Sequence, residues 1–148
     1  FLCGYRALTY RGIRVCIHLI NGLPGENRRM MLQTARQVAA LRPYAVKIHL
    51  LHLLRGTPLA AEYESDPFQL LEREEYVQLV CDQLELLPPE TMIQRLTGDG
   101  DRRLLVGPMW SVRKREVLNA IDREMARRGT VQGARFCSEL SREKEADF

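Results

Sequence analysis

The sequence predicts an α/β fold in which parallel βαβ units form part of a barrel wall. Three observations carry that prediction. Strand-like and helix-like segments alternate along the chain, the order that parallel βαβ units require. The two clearest strands are apolar on one face only. Ile13, Val15, Ile17 and Leu19 oppose Arg14, Cys16, His18 and Ile20, and Val46, Ile48 and Leu50 oppose Lys47, His49 and Leu51. A doubly wound sheet would be apolar on both faces, whereas a barrel wall has helices outside and can hold polar groups toward its lumen. The length is the third observation. The chain's 148 residues cannot hold a complete eight-stranded β/α barrel, which takes about 250.

Each element has its own signal. Phe1 to Tyr10 reads as the end of a helix, stopped at Arg11-Gly12 by a glycine suited to the left-handed position after a helix. Ile13 to Ile20 is rich in β-branched residues and reads as a strand. Asn21-Gly22-Leu23-Pro24-Gly25-Glu26 is a tight turn. Asn27 can cap a helix running to about Leu41, with Met30, Met31, Ala35 and Val38 on one side. Arg42-Pro43 stops it, and Tyr44 to Leu51 is the second strand. Thr57 and Pro58 open a short helix as cap and first helical residue. Glu72 to Leu87 predicts a helix burying Tyr76, Leu79, Val80, Leu84 and Leu87, ended by Pro88-Pro89. Thr91 to Leu96 is a third strand, and Gly98 to Asp101 a loop. Val112 to Arg128 predicts a helix with Leu118, Ile121 and Met125 inward, stopped by Gly129. The domain is expected to span 1–136, with 137–148 a charged, frayed tail.

Charge is distributed in blocks. Phe1 to Pro58 carry nine basic residues against Glu26 alone, Leu59 to Glu90 carry nine acids against Arg73 alone, and Thr91 to Arg128 return to nine bases against five acids. Such blocks are either solvated surfaces or a basic face for an anionic partner. Cys3, Cys16, Cys81 and Cys137 form no Cys-x-x-Cys pair and read as reduced thiols of a cytoplasmic protein. No apolar run approaches the ~18 residues of a membrane span.

Three constellations carry chemistry. The first is the glycine-rich turn between a strand and a helix, where backbone N–H groups can approach a ligand. A plain structural turn explains it equally well. The second is Lys47-Ile48-His49-Leu50-Leu51-His52, in which Lys47 and His49 project toward the proposed lumen. His49 suits proton transfer or hydrogen bonding, or is an inner-wall histidine satisfied by its neighbours. A zinc site from Cys16, His18 and His49 lacks any recognised ligand spacing. The third is Arg95, placed to hold a carboxylate or phosphate or to pair with Asp99. Trp110 beside Arg113, Lys114 and Arg115 offers a stacking and phosphate patch or a helix start.

Together these motifs resemble those of radical S-adenosylmethionine (SAM) enzymes. Ile17-His18-Leu19-Ile20-Asn21-Gly22-Leu23-Pro24-Gly25-Glu26 is similar to that superfamily's late-strand motif, Gly-x-Ile-x-Gly-x-x-Glu. His18 stands where the pattern opens with glycine, and Glu26 falls one residue late. Lys47 to His52, Gly56-Thr57-Pro58-Leu59, Glu74 to Val77, Arg95 to Asp99, Pro108-Met109-Trp110 and Gln132-Gly133 narrow the resemblance to the YhcC-like, Elp3-related group. The resemblance implies the later part of a partial (β/α)6 TIM-type barrel in an iron–sulfur oxidoreductase. Its cofactors would be SAM and a [4Fe–4S] cluster in the full-length parent. Ile20 would pack on adenine, Gly22 would leave backbone room beside SAM, and Glu26 would belong to the same turn. Lys47, His49 and His52 would lie near SAM or substrate, and Arg95 would bind substrate. RNA is the candidate substrate.

The superfamily's Cys-x-x-x-Cys-x-x-Cys triplet is absent from this chain. The expectation is therefore that the N-terminal half of the barrel lies elsewhere, that this chain alone binds neither SAM nor cluster and is inactive, and that it holds no metal. Its open sheet edges predict self-association in isolation. The alternatives are a non-enzymatic α/β module binding nucleic acid through its basic segments, and a metal hydrolase built on His18 and His49.

Overall fold

The computed structural model describes residues 1–98 and 100–136. The predicted tail, 137–148, lies outside the described residues. Among the described residues five α-helices, α1 (Leu2–Tyr10), α2 (Arg28–Ala40), α3 (Pro58–Ser65), α4 (Arg73–Leu86) and α5 (Lys114–Arg128), are interleaved with five strands. The strands are β1 (Cys16–Asn21), β2 (Ala45–Leu50), β3 (Leu53–Leu54), β4 (Met92–Arg95) and β5 (Leu105–Gly107). β1, β2 and β4 form a parallel sheet in the order β1-β2-β4. β3 and β5 form a separate antiparallel ribbon. Among the described residues no helix is long and apolar enough to cross a membrane.

The predicted caps form. The Asn27 side chain accepts the N–H of Met30 at 3.1 Å and opens α2. Thr57 accepts the N–H of Ala60 at 3.3 Å and opens α3, with Pro58 at its first position. Glu75 reaches back to the N–H of Glu72 at the start of α4. Gly129 closes α5 with φ +62°, a conformation strained for any residue bearing Cβ.

The sheet is one-sided. Ile17, Leu19, Val46, Ile48 and Leu50 are buried and form the core with Val38, Ala39, Tyr76, Val77, Val80, Leu84, Val117 and Ile121 from α2, α4 and α5. Burying such side chains contributes about 1.5–3 kcal/mol each. The opposite face carries the more exposed His18, Ile20, Lys47 and His49.

Several boundaries differ from the sequence expectation. β1 begins at Cys16 rather than Ile13, because the ladder starts where Cys16 meets Ala45, and Ile13 is left exposed. Met30 is exposed as well, while Met31, Ala35, Val38 and Ala39 take the buried side of α2. The last helix is two pieces, a 3-10 turn over Met109–Val112 followed by α5, separated by Arg113 at φ −94°, ψ 52°. Its buried residues are Val117, Ile121 and Glu124, with Leu118 and Met125 only partly covered. Glu124 turns inward because Arg128 does: Arg128 Nε donates to Glu124 at 2.7 Å and Arg128 Nη1 to Asp82 on α4 at 2.7 Å. The β3–β5 ribbon escaped the sequence reading because two- and three-residue strands are too short to show alternation.

One polar pair lies inside this core. Asn21 Nδ2 donates to Gln83 Oε1 at 2.9 Å, and Gln83 Nε2 donates to Asn21 Oδ1 at 2.8 Å. Both residues are fully buried, so the two amides satisfy each other and bind the end of β1 to α4. Gln83→Ala strands the Asn21 amide and is expected to lower the unfolding free energy by about 1–3 kcal/mol. Urea unfolding measures this; a loss under about 0.5 kcal/mol, the level of an ordinary surface substitution, contradicts the assignment.

Candidate functional site

The site grows from the strand register. His18 on β1 is level with Lys47 on β2, and Lys47 is level with Arg95 on β4. One residue pair further along, Ile20 is level with His49. Register partners in a parallel ladder share a face, so these side chains stand together, from the middle of β1 and β2 toward their C-terminal ends. Arg95 joins them through a bulge. Val46 pairs with Ile93, but the next residue, Lys47, pairs with Arg95, so Gln94 is the extra residue. Without the bulge Lys47 would meet Gln94, and Arg95 would fall on the helix-covered face.

The imidazoles form a compact group. The rings of His18 and His49 stack with centroids 5.3 Å apart and 29° between their planes. His52 follows β2 and lies against the glycine loop after β4. A Cβ at Gly98 would come within 2.7 Å of His52 Cε1 and 3.7 Å of His49 Nδ1, and one at Gly100 within 3.2 Å of His52 Cδ2. The loop can approach the ring this closely only because both residues lack side chains. In the sequence this segment is legible as a loop, and its paired glycines are the local signal of the close approach.

His49 sits in a cationic environment. Its pKa lies below the ordinary 6.5, first because burial disfavours the charged form, then because His18, Arg95, Lys47 and His52 add positive charge nearby. It is therefore a neutral imidazole at pH 7. Its Nε2 is buried without a hydrogen-bond partner among the described residues.

The glycine-rich turn faces elsewhere. Ile20 lies on the same face as His18 and His49 and is 49% exposed. Gly22 has φ +83°, and a Cβ there would be 3.1 Å from Leu71 Cδ1. Its bare side therefore admits Leu71. The Glu26 carboxylate accepts backbone hydrogen bonds from Leu23 and Gly22, yet burial outweighs them and raises its pKa. Glu26 lines a separate cleft of about 290 Å³ with Met31, Leu70, Leu71 and Leu79. The structure thus brings Ile20, Lys47, His49, His52 and Arg95 together and turns Gly22 and Glu26 toward the helix layer.

Among the described residues no group of three His, Cys, Asp or Glu side chains is placed to hold a metal ion, and Cys16, His18 and His49 form no such set. Cys16 is half-buried, with Sγ 3.5 Å from Gln94 Oε1. Cys3 is exposed, and Cys81 is buried with its thiol pushed up to about 11. Trp110 is committed to packing: its Nε1 donates to the Leu71 carbonyl at 3.0 Å and its ring lies 5.5 Å from that of Tyr76.

Residues 43–127 match the family model of the radical SAM C-terminal domain. The chain belongs to that family. Within the radical SAM superfamily it is YhcC-like. It is 55% identical over 133 residues to the uncharacterized protein YtqA of Bacillus subtilis, covering 90% of this chain and 41% of that one. It is 32% identical over 124 residues to protein YhcC of Escherichia coli, covering 84% of this chain and 40% of that one. The chain thus spans about 40% of the length of these relatives. Its fold is similar to that of archaeal Elp3 from Methanocaldococcus infernus, with a TM-score of 0.73 at 21% identity over 84% of this chain and 29% of Elp3. This C-terminal region of a radical SAM protein therefore has the α/β, parallel-stranded fold of a partial TIM-type barrel.

The lowered pKa of His49 carries a sign. Above 6.5 the folded and unfolded imidazoles are both neutral and the shift has no effect. As pH falls below that value the unfolded chain binds a proton that folded His49 resists, so stability falls. Urea midpoints measured from about pH 7.5 to about pH 5 should decline, and His49→Gln should flatten the decline. An unchanged pH profile in His49→Gln contradicts the assignment.

Proposed function

We propose that this chain forms the SAM- and substrate-facing wall of a radical SAM oxidoreductase whose cluster-binding strands belong to a longer polypeptide. The observation that carries the reading is the row His18–Lys47–Arg95, at mid-strand on β1 and β2 and at the end of β4, with Ile20 and His49 next to it toward the C-terminal ends of the parallel strands. That end is where β/α barrels place their chemistry. SAM fits the residues present: Ile20 offers exposed apolar surface to a purine, and Lys47 offers a cation to a carboxylate. Gly22 contributes backbone shape, and Glu26 supports the same turn from its helix side. A [4Fe–4S] cluster does not fit Cys3, Cys16 and Cys81, which stand exposed, half-buried and buried in separate elements.

When bound beside a cluster, SAM supplies a carbon radical that abstracts hydrogen from substrate. This chain's own part is to bind and orient. Lys47 and Arg95 attract anionic groups. Neutral His49 can accept or donate a hydrogen bond at a fixed position, and His52 backs it against the glycine loop. The substrate class we favour is RNA. It is supported by the exposed Arg55, Arg102 and Arg103 on the β3–β5 ribbon and its loop, whose Gly100 borders His52. The free thiols among the described residues support a cytoplasmic protein, and the outer edges of β1 and β4 support self-association of the isolated chain.

A chimera tests the reading. Residues 1–136 replace the matching part of the Bacillus subtilis relative, and the protein is reconstituted anaerobically with iron and sulfide, then given dithionite and SAM. The chimera is expected to show a cluster absorbance and release 5′-deoxyadenosine, while this chain alone shows neither. A stoichiometric cluster on this chain alone, or a cluster-loaded chimera that makes no 5′-deoxyadenosine, overturns it.

A further inference from the structure

The helix-facing side of β1 is apolar at Ile17 and Leu19 and turns polar at its end. Asn21 takes the third helix-facing position, 2% exposed, and meets Gln83 of α4, 1% exposed, through the reciprocal amide bonds at 2.9 and 2.8 Å. Both amides lie where the surrounding core is apolar. The pair also anchors the turn that follows. The Asn21 carbonyl accepts the N–H of Leu51, one residue before His52, at 2.9 Å. The N–H of Gly22 donates to Met31 Sδ at 3.3 Å, and Gln83 Nε2 reaches the Met31 carbonyl at 3.4 Å. Asn21 therefore stands between Ile20, which is 49% exposed on the inner face, and Gly22, which opens the turn at φ +83°.

We propose that Asn21 and Gln83 are positioning residues for SAM: the buried amide pair sets where β1 ends, and so where Ile20 and the Gly22 turn meet the ligand. The inference rests on the reading of this face as the SAM-facing wall, and names what holds that wall in place. Stability alone does not account for the pair. Burying two amides costs desolvation that their mutual bonds offset, and replacing both members of such a pair by apolar groups of similar shape is nearly neutral. What an aliphatic pair lacks is direction. Apolar contacts are non-directional and leave the strand end free to shift along and about its axis. Two reciprocal N–H···O bonds between planar amides fix both. The end of β1 is where this counts. The ladder stops at the level of Asn21 and Leu50, and beyond it the Gly22 N–H reaches a thioether, a weak acceptor. A misplacement of about 1 Å in the groups that hold a ligand can cost about a hundredfold in rate.

The experiment uses the chimera defined above, with S-adenosylhomocysteine as the binding probe for the cluster-loaded, unreduced protein and SAM for turnover. Two double variants are compared with the parent. Asn21→Leu/Gln83→Leu is an apolar pair, and Asn21→Gln/Gln83→Asn keeps both amides with their lengths exchanged. The leucine pair should keep the parent's urea midpoint and cluster content, yet bind S-adenosylhomocysteine about tenfold more weakly by calorimetry. The turn holds SAM alike before and during cleavage, so the loss should appear in KM for SAM with kcat unchanged. The exchanged pair should recover most of the affinity. Parent affinity in a leucine pair that keeps its midpoint overturns the proposal, since the wall is then positioned without the amides. A leucine pair that loses its midpoint or its cluster makes the amides a stability element and overturns it too, as does an exchanged pair no tighter than the leucine pair. Any of these results beside an active parent chimera leaves the SAM-facing reading standing. A cluster-loaded parent chimera that releases no 5′-deoxyadenosine removes that reading and this inference with it.

Discussion

A parallel sheet needs both faces covered, because its strands join through helices and expose little polar edge to water. Here the described helices cover one face only. α2, α4 and α5 bury Ile17, Leu19, Val46, Ile48 and Leu50, and the alternation of each strand then commits Cys16, His18, Ile20, Lys47 and His49 to the other side. The strand period is two, so a slip of one residue would drive Lys47 and His49 into the helix layer. The register between Ile17 and Val46 and between Leu19 and Ile48 therefore decides both the core and the site.

The cationic face has a structural cost. His18, Arg95, Lys47 and His52 all disfavour a positive charge on His49, whose buried Nε2 has no hydrogen-bond partner among the described residues. The fold offsets this elsewhere. Asn21 and Gln83 lock the end of β1 to α4. Arg128, held on its own helix by Glu124, ties α5 to α4 through Asp82 and Glu85, and Tyr76 donates to the Leu96 carbonyl at 2.9 Å to hold the end of β4. These contacts hold the strand ends from the helix side and leave the inner face to the cluster. Polar groups held in place from outside are what a preorganised binding site requires.

Much of this was legible in the sequence, and the reasons are local. Alternation in Ile17 to Ile20 and Val46 to His49 is a direct consequence of one-sided burial, so the two faces could be read from residue order. Asn27 and Thr57 announced their helices because a capping side chain acts within three residues. What could not be read depends on contacts distant in sequence. The bulge at Gln94 is set by β4 meeting β2, and it alone brings Arg95 beside Lys47. The β3–β5 ribbon joins segments about fifty residues apart. Gly22 resembled a residue making room for a ligand, yet its bare side admits Leu71, a neighbour that no local pattern identifies. The Leu71 carbonyl that accepts from Trp110 Nε1 is likewise distant in sequence.

The central claim is that the cationic face exists for a ligand and burdens the fold. Lys47→Met tests it most directly, since methionine keeps the length of the side chain and removes its charge. The unfolding free energy of Lys47→Met, measured in urea at neutral pH, is predicted to equal or exceed that of the parent, because a positive charge beside the buried His49 is removed. A loss of more than about 1 kcal/mol, the scale of a typical destabilising substitution, would show that Lys47 holds the fold together and would contradict the account.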